Sequence, residues 1–240
     1  MESIWVNAVI YKYGLNINYD DFASGRVLYH GRGVPNFPVR LMNEIYGRCV
    51  AYSDKEKDIS VYDCCVGGGY SLTVLGFLNQ NSIGQMYGSD IDENMLAIAR
   101  KNLSLLSDNG LEERIRELED LYKLHGKESH GLAIESAKRL KKGLDKKIEV
   151  NVFLGDVFKP INIDIIPDII ITDVPYGDLV DWQGSDNIGK MIESLCNISD
   201  GHTIMAIIMD KKQKISNDRL LRLEKNIVGK RKFEIYRLKA

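Results

Sequence analysis

An α/β fold built around a doubly wound, parallel sheet is predicted by three observations. Short apolar runs that end in an acid alternate with amphipathic stretches, a glycine cluster follows the first of these runs, and the alternation resumes after a charged interruption. At 240 residues the chain is long for a single domain, yet one α/β domain with an N-terminal extension and a helical insertion accommodates it.

Residues 1–57 are read as the extension, partly helical. Gly31, Gly33, Pro35 and Pro38 punctuate it before a helical pattern over Val39–Tyr52. The domain proper is expected over 58–240. Ile59–Asp63 is an apolar run ending in an acid, Gly67-Gly68-Gly69 forms a tight loop, and an amphipathic stretch over Ser71–Leu78 follows: strand, loop, helix. A second strand fits Gly84–Asp90. The helix after it, Glu93–Leu106, gathers Met95, Leu96, Ile98, Ala99, Leu103 and Leu106 on one face. From about 108 to 147 charges of both signs accompany apolar residues at near-helical intervals, which marks the insertion. Strands are expected again at Ile148–Leu154, Ile169–Thr172 and Thr203–Met209, with a helix over Ile188–Cys196. A further helix near Arg219–Lys225 and a final strand at Lys232–Arg237 complete the pattern.

Apolar and charged fractions of 44% and 28% are ordinary for a globular protein. No apolar run approaches the ~18 residues a membrane span needs, and the first ten residues have no export pattern, so a cytoplasmic protein without membrane partners is expected. Cys49, Cys64, Cys65 and Cys196 lack the paired spacing of a metal site and are read as reduced thiols, with no metal expected. Net charge is only -2, but Lys211–Lys239 holds eleven Lys and Arg against three acids. Such an excess reads either as a phosphate-contacting surface or as a solvated face. A monomer is the default assembly.

In a doubly wound sheet the ligand lies beyond the carboxyl ends of the strands. Asp63-Cys64-Cys65-Val66-Gly67-Gly68-Gly69-Tyr70 puts a carboxylate there, followed by glycines that let backbone approach a small ligand. A dinucleotide fingerprint would have its third glycine at 72, where Leu72 stands. Asp63 would also repel a pyrophosphate and attract the ammonium of a methionine moiety, so the charge favours S-adenosyl-L-methionine. Asp63, Cys65, Gly67, Gly69 and Tyr70 are the candidate cofactor residues of this loop. Asp90, with Ile91, ends the second strand and can accept both ribose hydroxyls. Asp92 fits a helix N-cap or a ligand contact. Asp156 can take the adenine amine while Val157 covers the ring, the alternative being a turn aspartate.

The segment Ile169-Ile170-Ile171-Thr172-Asp173-Val174-Pro175-Tyr176-Gly177 resembles the Asn/Asp-Pro-Pro-Tyr loop of methyltransferases acting on ring or exocyclic nitrogens. Asp173 can accept the nitrogen's proton, Val174 C=O a second donor, Pro175 stiffens the turn and Tyr176 can stack on a base. Direct displacement needs no metal, so positioning and proton relief would be most of the catalysis. An aspartate at 173 leans toward guanine, whose N1 and N2 edge carries donors.

The chain also resembles the AviRa-like family of rRNA guanine methyltransferases, associated with avilamycin resistance. The likeness runs through Gly25-Arg26-Val27-Leu28, Phe37-Pro38-Val39-Arg40-Leu41, the Asp63–Tyr70 loop, Ser89-Asp90-Ile91-Asp92, Lys101-Asn102-Leu103, and Thr172–Gly177 with Trp182 and Gly184. It implies a Rossmann-like methyltransferase sheet of seven strands with the last antiparallel, a guanine of large-subunit (23S) ribosomal RNA as acceptor, and a link to ribosome-targeting antibiotics. Arg26, Arg32, Arg40 and Arg48 in the extension are candidate phosphate contacts. Other readings are an N-methyltransferase acting on another RNA, DNA or a protein amine, a non-catalytic RNA-binding ribosome factor, and a nucleotide-dependent oxidoreductase.

Overall fold

The computed structural model describes residues 10–23, 25–31, 37–174 and 186–239. Seven strands form one sheet: β1 (Ile59–Asp63), β2 (Ile83–Asp90), β3 (Glu149–Leu154), β4 (Ile169–Asp173), β5 (Ile204–Asp210), β6 (Leu220–Val228) and β7 (Arg231–Leu238). Their order is β3-β2-β1-β4-β5-β7-β6. β1 to β5 pair in parallel, and β7 runs antiparallel to both neighbours. Among the described residues the six α-helices are α1 (Val39–Tyr52), α2 (Tyr70–Asn79), α3 (Glu93–Ser104), α4 (Asp108–His125), α5 (Glu128–Lys142) and α6 (Asp186–Asn197). The seven-stranded architecture and its antiparallel last strand match the expectation.

The central strands are apolar on both faces, and period-two alternation divides them between two cores. Ile59, Val61, Ile169, Ile171, Ile204, Ala206 and Ile208 face α1, α2 and α3. Tyr62, Ile170, Met205, Ile207 and Met209 face Met191, Ile192 and Leu195 of α6. Each such aliphatic side chain, fully buried, contributes ~1.5–3 kcal/mol. Phe22, Val27 and Leu28 of the extension, with Leu111, Leu118 and Ala137 of the α4–α5 hairpin, join the first core. The hairpin starts at Ser107, whose hydroxyl caps the Gly110 N–H, and α4 ends at left-handed Gly126 (φ 60°).

Two expectations are corrected. Arg219–Lys225 is not helical but opens β6. Leu220 and Leu223 are three apart, which mimics helical spacing; the cause is a register shift between Arg222 and Glu224 that interrupts the strand's alternation. β3 is an edge strand rather than a buried one, with Val150 and Leu154 exposed.

The extension is fastened by a buried carboxylate. Glu44 Oε2 accepts the N–H groups of Lys12, Tyr13 and Gly14 at 2.8, 2.6 and 2.7 Å. Arg48 donates to Glu44 Oε1 at 2.7 Å, to the Ile10 carbonyl at 2.6 Å and to Glu224. At 6% exposure Arg48 presents no face to a phosphate, which corrects its expected role: burial demands that its charge be paired within the protein.

Candidate active site

Four parallel strands end in aspartate at the same edge of the sheet: β1 in Asp63, β2 in Asp90, β4 in Asp173 and β5 in Asp210. Strand order reverses between β1 and β4, which opens a crevice flanked by Asp63 and Asp173.

Asp63 is buried, and its Oδ1 accepts the Thr172 hydroxyl at 2.7 Å and the Cys65 N–H at 3.0 Å. Burial pushes its carboxyl up to about 7, and the charges of Asp90 and Asp173 add to the shift, while the Thr172 and Cys65 hydrogen bonds oppose it. Asp173 is likewise pushed up to about 7 by burial, against the charge of Arg231. Its Oδ1 is buried and has no hydrogen-bond partner among the described residues. A buried carboxylate oxygen left unpaired costs on the order of 1–3 kcal/mol or more, a cost that a donor on a bound molecule would remove.

Asp90 braces the glycine turn. Its Oδ2 accepts the Gly67 N–H at 2.8 Å and its Oδ1 the Asp92 N–H at 3.0 Å, and each oxygen keeps a second lone pair. Asp92 caps α3 by accepting the Asn94 N–H at 2.9 Å. Gly67 and Gly69 hold φ values of 51° and 75°. At Gly67 an added Cβ would come no nearer than 3.9 Å to Met95 Cε, so space remains over the turn. At Gly69 a Cβ would lie 2.9 Å from Ala99 Cα; that glycine serves the contact of α2 with α3.

Other residues expected around the cofactor are placed as follows. The Cys65 side chain is half-buried, 3.9 Å from the Cys64 sulfur. Tyr70 gives its hydroxyl to the Phe22 carbonyl at 2.7 Å, tying α2 to the extension. Ile91 is exposed beside Asp90, whereas Val157 is buried in the α6-side core. Asp156 makes an Asx turn, accepting the Phe158 N–H at 3.0 Å, and pairs with Lys159 at 3.1 Å. Val174 is buried and continues the β4–β5 pairing through its N–H to the Ile208 carbonyl at 2.9 Å. Pro175, Tyr176 and Arg32 lie outside the described residues. Arg26 donates to the Asp20 carbonyl at 3.1 Å, and Arg40 to Gly14 at 3.0 Å while its guanidinium sits 4.0 Å over the Tyr11 ring.

Sequence reasoning missed two side chains. Asn102, fully buried on α3, donates to the Gly68 carbonyl at 2.7 Å and the Tyr29 carbonyl at 2.9 Å, and accepts the Tyr29 N–H at 2.7 Å. It clamps the glycine loop to the extension; an asparagine on the apolar face of a predicted helix was its signal. Thr172, fully buried and next to Asp173 in the chain, donates its hydroxyl to Asp63.

The three neighbouring carboxylates make a crevice that favours cations, and the open glycine turn and the partnerless Asp173 oxygen fit a bound amine donor. Among the described residues there is no group of three or more His, Cys, Asp or Glu arranged to hold a metal, and no helix long and apolar enough to cross a membrane.

Comparison with known proteins shows the family. Residues 9–231 match the family model described as rRNA methyltransferase AviRa. The chain is 34% identical over 226 residues, 90% of each chain, to the 23S rRNA (guanine(2535)-N(1))-methyltransferase of Streptomyces viridochromogenes. The crystal structure of rRNA methyltransferase AviRa from that organism at 1.5 Å superposes with a TM-score of 0.88 at 32% identity, covering 95% of this chain and 96% of the other. TrmN from Thermus thermophilus shares the fold alone, with a TM-score of 0.56 at 11% identity over 85% of this chain and 49% of its own.

Proposed function

The chain belongs to the AviRa family of rRNA methyltransferases, and from that membership we propose that it methylates the N1 ring nitrogen of a guanine in large-subunit (23S) ribosomal RNA, with S-adenosylmethionine as donor. The observation that carries the reading is Asp173. Its buried Oδ1 lacks a partner among the described residues and ends β4 beside the crevice.

When bound, S-adenosylmethionine supplies an electrophilic methyl group on a sulfonium. Asp63 receives the ammonium of its methionine moiety, a cation that offsets the burial penalty of this carboxylate. Asp90 accepts from the ribose hydroxyls, and the Gly67–Gly69 turn lets backbone approach the ligand. Ile91, Asp156 and Val157 form the adenine side, with Cys65 and Tyr70 as walls of the loop. Asp173 accepts the guanine N1–H and takes its proton, which leaves the N1 electron pair free for the methyl group. Val174 C=O, Pro175 and Tyr176 complete the acceptor loop, the tyrosine by stacking on the base. Arg26, Arg32 and Arg40 remain candidates for phosphate contact. The modified guanine protects the ribosome from an antibiotic directed at it.

The test is to incubate the protein with radiolabelled S-adenosylmethionine and separate pools of ribosomal RNA, transfer RNA, DNA and protein, and to map the label by mass spectrometry. Label on N1 of a 23S guanine, reduced by ~10²–10⁴-fold in Asp173→Ala, is the expected result. Label on another nucleic acid or on protein would discard the substrate, and full activity in Asp173→Ala would discard the proton acceptor.

A further inference from the structure

The eleven cations between Lys211 and Lys239 do not form one patch. Arg222, Lys225 and Lys232 converge on Glu234 at 3.4, 3.9 and 2.7 Å. Arg219 pairs with Glu193, and Lys239 bonds back to the Arg219 carbonyl, at the amino end of β5. Arg237 lies near the amino end of β5 and Lys214 farther along the segment that leads to β6; the remaining four cations gather at the carboxyl end of β5. Lys211 and Lys212 follow β5, Lys230 lies in the β6–β7 turn, Arg231 opens β7, and the Lys211 N–H donates to the Lys230 carbonyl at 3.1 Å. All three lysines are exposed and none has an ion pair among the described residues. The acid within the group, Asp210, accepts the Lys212 N–H at 2.8 Å.

This group lies next to the acceptor residue. Asp173 pairs in register with Ile208, two residues before Asp210, and Asp210 faces Arg231. Two residues along a strand and one strand across put Asp210, which Lys211 and Lys212 follow in the chain, roughly 8 Å from Asp173. Arg231 itself acts on Asp173 and sits 5.2 Å over the Phe37 ring. The crevice meanwhile carries Asp63, Asp90 and Asp173, which repel a polyanion.

We propose that Lys211, Lys212 and Lys230 form a basic rim that binds the phosphodiester backbone flanking the target base, holding the RNA while its base enters the acidic crevice. This rests on the proposed activity for its substrate, but binding can be read without methyl transfer. A surface that neutralises phosphates releases counterions, so each lost contact lowers the salt slope of binding by ~0.7–0.9.

The experiment compares the wild-type chain with the triple variant Lys211→Gln/Lys212→Gln/Lys230→Gln. A charge-matched control, Lys57→Gln/Lys142→Gln/Lys239→Gln, alters exposed lysines near the opposite end of the sheet. Arg231 is left intact. Filter binding of in vitro transcribed 23S rRNA from low to moderate salt, with S-adenosylhomocysteine present, gives affinity and slope. Calorimetry of S-adenosylhomocysteine alone checks the crevice. Expected for the rim variant is RNA affinity reduced tenfold or more, a salt slope shallower by roughly 2, unchanged S-adenosylhomocysteine affinity, and a raised KM for RNA with kcat retained. An unchanged slope and affinity, or an equal loss in the control, overturns the rim. If the rim variant shows its binding defect but the wild type transfers no methyl group to the RNA, the rim stands and the proposed activity fails. If methylation proceeds with the rim variant as with wild type, the rim fails and the activity stands.

Discussion

Thr172 Oγ1 donates a 2.7 Å hydrogen bond to Asp63 Oδ1, linking the residue before Asp173 to the carboxylate that ends β1. The bond opposes the burial that pushes Asp63 up to about 7. Hydrogen bonds to charged groups contribute ~1.5–3 kcal/mol, so Thr172→Val should weaken S-adenosylmethionine binding by roughly tenfold or more near neutral pH. Because less of Asp63 is then ionised, the loss should shrink as pH rises toward 9, and Thr172→Ser should restore binding. Calorimetric titration across pH 6–9 reads this; equal loss at all pH values would make the threonine a packing residue only.

Activity should fall in acid, and the sign follows from Asp173. Burial raises its carboxyl to about 7, so below that pH it carries a proton and cannot accept one from the base. The acid limb of kcat/KM, which reports the free enzyme, should bend near pH 7 and approach a tenfold loss per pH unit for Asp173 alone, steeper where Asp63, also raised to about 7, takes up its proton as well. A cation held in the crevice stabilises the ionised form. The limb of kcat should therefore lie at lower pH than that of kcat/KM. A pH-rate profile that is flat from pH 8 to 5.5 would falsify the assignment.

Arg48 should act on folding rather than on RNA. It is buried and bonded to Glu44, Glu224 and the Ile10 carbonyl. Arg48→Ala leaves the buried Glu44 without its cation and should destabilise the protein by ~3–5 kcal/mol. The loss should appear in chemical denaturation, while the salt slope of RNA binding stays that of wild type.

These two outcomes mark where the sequence is readable. Strands β1, β4 and β5 are legible because a sheet covered on both faces requires short continuous apolar runs, and the acids that end them point to the ligand edge. The partners of a buried polar group are not legible, because they come from far along the chain. Thr172 and Asp63 are 109 residues apart, and Arg48 and Glu224 are 176 apart. Arg48 therefore reads as one more surface arginine, although its spacing from Glu44 hints at a helix pair. Asn102 is half legible: its misplaced polarity shows, but neither Gly68 nor Tyr29 as its partner does. β6 fails for another reason, since one irregular residue imposes a helix-like spacing on an extended segment.

Gly69 separates packing from ligand approach within the glycine loop. Its φ of 75° disfavours any side chain, and a Cβ would meet Ala99 Cα at 2.9 Å, backbone that cannot rotate away. Gly25 has a similar φ of 71°, but a Cβ there would find nothing within 4 Å. Gly25→Ala should thus cost only the left-handed conformation, ~1–2 kcal/mol. Gly69→Ala should cost ~1–3 kcal/mol more, because α2 must move off α3. That movement pulls on the 2.8 Å bond from the Gly69 N–H to the Val66 carbonyl, so S-adenosylmethionine affinity should fall together with stability. Denaturation and calorimetry on both variants measure the two effects. Equal destabilisation by the two substitutions would mean that backbone conformation alone, and not the α2–α3 contact, fixes the glycine at this position.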